Sequence, residues 1–169
     1  MVICLKKMTK RQNSYFMEIV KVETGLQLEE VKTLLEQYWT SFGFTPCFQN
    51  FGDEVKNLPG AYAPPGGQLV LATVDRKAAG CFAYRRFDEI RCEAKRLFVS
   101  PEFRGKGIGV ELLNWMISEA RAAGYREMIC DTMPEMRDAL AMYKRAGFVE
   151  TPAYAGIPTP GAVFLRRTL

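Results

Sequence analysis

The chain contains no histidine. That absence removes the commonest general base and the commonest nitrogen ligand for metals, and it rules out a Ser-His-Asp triad. Proton transfer must then fall to carboxylates, tyrosine, cysteine or backbone groups. The cysteines are poorly arranged for chemistry. Cys4, Cys47, Cys81, Cys92 and Cys130 are odd in number and widely spaced, with no Cys-x-x-Cys pair. This excludes a zinc-finger spacing and offers no disulfide framework, so they read as reduced, mostly buried thiols in a cytoplasmic protein. No metal site is expected. Long apolar runs are also missing, so no membrane span and no membrane partner are expected. Met1 to Gln12 is basic but lacks the apolar centre and cleavage site of a signal peptide. Dense Lys/Arg runs are absent too. With 23 basic and 19 acidic residues the net charge is +4, too mild for nucleic acid but suited to a small polyphosphate ligand.

What is present fits one ordinary domain. There are 169 residues, 48% apolar and 25% charged, which is enough to bury a single core. Residues 1–16 read as an N-terminal extension, disordered or tag-like, with Met8 or Met17 as an alternative start. Residues 17–23 read as a first strand. Leu28, Val31, Leu35, Tyr38 and Phe42 recur at helical spacing and predict a helix from Leu26 to about Ser41. A short helix is expected over 50–58. Strands follow at Gln68–Val74 and Ala79–Phe87, joined by Asp75-Arg76-Lys77-Ala78, and a third at Ile90–Val99. A long amphipathic helix ends before Gly124, which reads as its cap. A strand over 126–131 precedes a second helix, whose start is marked by the capping-box spacing of Thr132 and Glu135 with Pro134 between them. This helix stops at Gly147, and two strands near Phe148–Glu150 and Ala162–Thr168 close the chain. The expected class is mixed α/β, an α+β single domain. Its sheet is central, twisted and mostly antiparallel, with about six to seven strands flanked by about four helices.

The functional signal is concentrated in Arg104-Gly105-Lys106-Gly107-Ile108-Gly109, between a strand and the long helix. Alternate glycines leave backbone N–H groups uncovered, at the positive end of a helix dipole. Arg104 and Lys106 add charge there. An ATPase-type phosphate loop requires Ser or Thr after Gly-Lys, but Gly107 follows Lys106. A dinucleotide loop requires Gly-x-Gly-x-x-Gly, and Leu112 stands at the third glycine. Asp131 lies where a ribose-binding acid would sit, so a weak dinucleotide reading remains open.

A third pattern fits the loop. Arg104-x-x-Gly107-x-Gly109 resembles the pyrophosphate loop of the GNAT superfamily of N-acetyltransferases. The segment from Ala139 through Tyr143 to Gly147-Phe148 resembles that family's second signature. The likeness covers residues 68–150, and the N-terminal third only in element order. One departure is Met136, which stands seven residues before Tyr143 where the family often has Asn. The resemblance implies acetyl transfer from acetyl-CoA to an amine by direct attack in a ternary complex. Leu97, Phe98 and Val99 would pair with the pantetheine arm, and Arg104, Gly105, Lys106, Gly107, Ile108 and Gly109 would hold the pyrophosphate. Ala139 and Tyr143 would complete the cofactor site. Tyr143 is the candidate acid for the leaving thiolate, because a phenol can protonate it. Glu93 is the candidate base through water, with Asp131 and Glu135 as weaker alternatives. The acceptor is expected to be a small molecule or a peptide end, and the protein a monomer or homodimer. Tyr38, Trp39, Phe44, Tyr62, Tyr84 and Tyr154 are candidates for an aromatic acceptor pocket. The rival class is a non-catalytic acyl-CoA-binding module.

Overall fold

The structure is a computed structural model describing residues 7–12, 15–41, 43, 51–154 and 160–169. It contains eight strands: β1 Lys7–Gln12, β2 Tyr15–Lys21, β3 Gln68–Val74, β4 Lys77–Arg86, β5 Arg91–Val99, β6 Glu127–Thr132, β7 Val149–Glu150 and β8 Val163–Thr168. The helices are α1 Leu26–Ser41, α2 Phe51–Lys56, α3 Ile108–Ala122 and α4 Arg137–Arg145. One mixed sheet runs β1-β2-β3-β4-β5-β6-β8-β7. Every neighbouring pair is antiparallel except β5 and β6, which are parallel. The expected mixed, mostly antiparallel sheet with four helices is therefore what forms.

Two expectations are corrected. The sheet gains an eighth strand from the segment read as a disordered extension, since Lys7–Gln12 pairs along the outer edge of β2. An edge strand needs only backbone partners on one side, so its polar sequence gives no apolar signal. The capping box also fails. Thr132 still pairs with Val163 inside the sheet, and α4 begins five residues later with Met136 as its cap and no side-chain capping bond. Strand pairing has claimed the residue that the spacing assigned to a helix.

Alternation along the strands divides the interior in two. Val70 and Ala72 of β3 face α3, joining Ile108, Leu112, Leu113 and Met116. Leu69 and Leu71 face α1, joining Val31, Leu34 and Leu35. Burial of these apolar side chains holds the helices on opposite faces of the sheet.

One close approach fixes the α1 side. A Cβ on Gly67 would lie 2.5 Å from the Ala61 carbonyl oxygen and 2.6 Å from the Tyr62 Cα. Backbone cannot move aside as a side chain can. Gly67→Ala is therefore expected to lower unfolding stability by about 2 kcal/mol through overpacking. Chemical denaturation with an unchanged m-value checks it.

Candidate active site

The site arises where β5 and β6 part. Their parallel pairing stops at Glu93–Ile129, while β6 continues with β8 and β5 with β4. Between the pairs Cys81–Phe98 and Ala83–Lys95, two steps along β4 face three along β5. β5 thus carries a bulge, and Arg96 within it has φ +61°. A bulge bends its strand and re-aims the residues beyond it. Beyond it, the Ser100 N–H donates to Ala79 of β4. Strand alternation then turns the N–H and carbonyl of Val99 the other way, toward the gap. The Arg104 Nε donates to that carbonyl at 3.1 Å.

The gap is a cleft of about 610 Å³. Leu97, Phe98 and Val99 line one wall, and Arg104, Gly105, Gly107, Ile108 and Gly109 form its floor. Met136, Ala139 and Met142 form the α4 wall. Gly107 caps α3 at φ +77°, and the first helical bond runs from the Glu111 N–H to its carbonyl. The N–H groups of the first turn therefore lack carbonyl partners within the helix. Together with Arg104 they make this end of the cleft attractive to an anion.

The structure brings together most of the residues picked out in the sequence, and three sit differently. Lys106 does not line the cleft. Its carbonyl accepts from the Tyr15 hydroxyl at 2.7 Å, and its ammonium lies 5.1 Å from the Phe103 ring, so it ties the loop to β2 and to its own turn. Tyr143 is buried behind the α4 wall, edge-on to Phe148 at 5.1 Å. Burial raises its phenol well above the ordinary value, with Cys130, Tyr38 and Asp131 adding to the shift. The hydroxyl therefore remains a proton donor throughout the neutral range. Glu93 is 4% exposed on the α1 face of β5. One of its oxygens takes Arg85 at 2.7 Å and the other Lys95 at 3.0 Å. Lys95 also reaches Asp131 of β6 at 2.6 Å, just past the point where the strands separate.

The expected aromatic pocket does not assemble. Tyr38 lines the cleft, but Trp39 stacks on Phe51 at 3.9 Å and Tyr62 bonds Glu54. Tyr84 lies on the opposite face against Tyr125, and Tyr154 sits between Phe87 and Phe164. Phe44 lies outside the described residues. Of the cysteines, Cys81, Cys92 and Cys130 are free and buried; Cys4 and Cys47 lie outside the described residues. Burial pushes the Cys81 and Cys92 thiols up to about 12 and Cys130 well above its ordinary value, which disfavours a nucleophilic thiolate. Among the described residues no cluster of three metal-ligating side chains occurs, and no helix is long and apolar enough to cross a membrane.

Sequence reasoning missed Met136, Met142, Arg137 and Arg145, which also line the cleft. Met136 was noted only as a departure, yet its thioether accepts from the Thr132 hydroxyl at 3.7 Å. Arg137 and Arg145 stand eight residues apart on α4 and Met142 three before Arg145, while Met136 is the cap ahead of the helix, so no single helical stripe marks the four.

Residues 28–148 match the model of the acetyltransferase (GNAT) family. An uncharacterized N-acetyltransferase of Schizosaccharomyces pombe is 36% identical over 150 residues, covering 88% of this chain and 92% of its own. An acetyltransferase from Streptococcus agalactiae shares the fold with a TM-score of 0.77 at 20% identity, over 90% of this chain and 98% of its own. A GNAT family acetyltransferase from Elizabethkingia anophelis, solved with acetyl-CoA bound, superposes with a TM-score of 0.59 at 20% identity, over 90% and 98% of the two chains. The chain belongs to the GNAT family of acetyltransferases, a family of acyl-transfer enzymes.

Proposed function

We propose that this protein transfers an acetyl group from acetyl-CoA to the amine of a small molecule or peptide end. The observation that carries this reading is the cleft at the β5–β6 separation, with an exposed strand edge on one wall and the glycine-capped start of α3 at its floor. The loop 104–109 holds the pyrophosphate by helix N–H groups and Arg104. The pantetheine arm lies along Leu97–Val99 as an added strand, between those residues and the Ala139 face of α4. The acetyl-CoA bound in the Elizabethkingia protein, which shares the fold, supports this choice of cosubstrate.

In the reaction the amine nitrogen attacks the thioester carbonyl, and the carbon–sulfur bond breaks to release the CoA thiolate. The Val99 N–H stabilises the carbonyl oxygen as charge develops on it. Holding both reactants in one cleft supplies much of the rate. Tyr143 gives its proton to the thiolate, which requires its hydroxyl, buried and not part of the cleft lining, to reach the sulfur from the α4 side. A carboxylate takes the proton lost by the amine, and Glu93 and Asp131 are the two at the strand separation. Glu93 acts through water, which must displace one of the cations now on its oxygens. Thiol release from acetyl-CoA against a panel of amines tests the reading. Turnover with at least one amine and a mass gain of one acetyl group on the product supports it; binding of acetyl-CoA with no turnover on any amine favours the non-catalytic module.

A further inference from the structure

Arg96 is an unusual occupant for its place in the chain. Its φ of +61° is a conformation in which glycine is at ease and a side chain is strained. Yet the position holds one of the longest side chains, and that side chain is buried. It turns toward α2, where its Nε and Nη2 meet the two oxygens of Glu54 at 2.7 Å each. The side chain is 6% exposed, and its guanidinium carbon lies 5.3 Å from the centre of the Phe51 ring. Glu54 accepts a further bond, from the Tyr62 hydroxyl, at 2.9 Å. The Arg96 carbonyl is held as well, accepting from the buried Cys81 thiol at 3.5 Å. Burial alone would raise the Glu54 carboxyl, but its hydrogen bonds and the charge of Arg96 outweigh that and hold it below its ordinary value.

These contacts meet in the bulge, where Arg96 and Leu97 lie between the paired residues Lys95 and Phe98 of β5. The residues beyond Arg96, Leu97 to Val99, form the cleft wall. We propose that Arg96 is a positioning residue: its buried fork on Glu54, completed by Tyr62, clamps the strained bulge and so aims the Val99 end of β5 into the cleft. This rests on the acyl-CoA reading of the cleft and adds to it a device on the opposite face of the sheet. A fork of two parallel hydrogen bonds fixes direction as well as distance, which a lysine cannot do. The clamp acts directly on the wall that meets the pantetheine arm and touches the phosphate loop at one remove, through the Arg104 Nε bond to the Val99 carbonyl.

Calorimetric titration of the full chain separates these effects, with acetyl-CoA as one probe and ADP, which has the pyrophosphate but no arm, as the other. Arg96→Met removes the fork and leaves the strained backbone. Its acetyl-CoA affinity is expected to fall by about 10-fold or more while ADP affinity changes by less than about twofold. Arg96→Gly also loses the fork but adopts the positive φ without strain, so it should bind acetyl-CoA within about threefold of wild type. A purely structural role predicts the reverse order, since glycine fills the site less well than methionine. Glu54→Gln, which keeps its shape, should fall between the two and serves if Arg96→Met does not fold. Glycine binding no better than methionine, or equal losses for both probes, overturns the proposal. Wild type failing to bind acetyl-CoA overturns the acyl-CoA reading, and the clamp with it.

Discussion

Gly107→Glu should cost acetyl-CoA affinity about 100-fold, or about 2.7 kcal/mol, while leaving the protein folded. Two opposite effects act on folding. A side chain at φ +77° is strained by about 1–2 kcal/mol. A carboxylate at a helix N-terminus is favoured by about 0.3–1 kcal/mol. The net loss is small beside the stability of a domain. Binding has no such compensation. The new carboxylate stands where the pyrophosphate must sit and repels it, and its side chain covers the N–H groups that would bond the phosphate oxygens. Calorimetric titration with thermal unfolding of the same sample checks both halves. Binding retained within a few-fold would place the phosphates elsewhere.

Tyr143→Phe should lower kcat by about 100-fold, the scale of one lost proton donor. KM for acetyl-CoA should change little, because Tyr143 lies behind the cleft lining, packed on Phe148. Phenylalanine keeps that ring contact, so stability should change by less than about 1 kcal/mol. The pH dependence sharpens the prediction. Burial raises the phenol's value, so the donor form persists at neutral pH and no alkaline limb from this group appears there. Any stability linked to the shift is present below the unfolded phenol's value of about 10 and is lost only as pH rises through the folded value. A kcat unchanged at neutral pH in the variant would contradict the assignment. Glu135, the third candidate, lines the cleft, and comparing Glu93→Gln, Asp131→Asn and Glu135→Gln in the same assay identifies the base.

The legible parts of this chain are those where one periodicity dominates. Leu26–Ser41 and Gln68–Val74 form with the boundaries their patterns predict, because a helix face and a doubly buried strand each leave a repeating signature. The glycine loop is legible for a different reason: Gly105 and Gly107 take positive φ, and glycine is how a sequence writes that conformation. Arg96 takes the same conformation with no such letter, held by Glu54 some forty positions away, so it was invisible. Glu93 shows the same limit. Lys95 was a foreseeable neighbour two residues along the strand, but Arg85 is its partner across β4, and register is not written in either strand alone. The six aromatics look like a pocket only until strand alternation sends Tyr84 to the far face.

The central claim is that acetyl-CoA occupies the cleft between β5 and α4. Titration of the wild-type protein with acetyl-CoA, with NAD in parallel, tests it most directly. Saturable binding of one acetyl-CoA per chain, with no heat from NAD, is the predicted result. Indifference to acetyl-CoA, or equal binding of NAD, would contradict the claim.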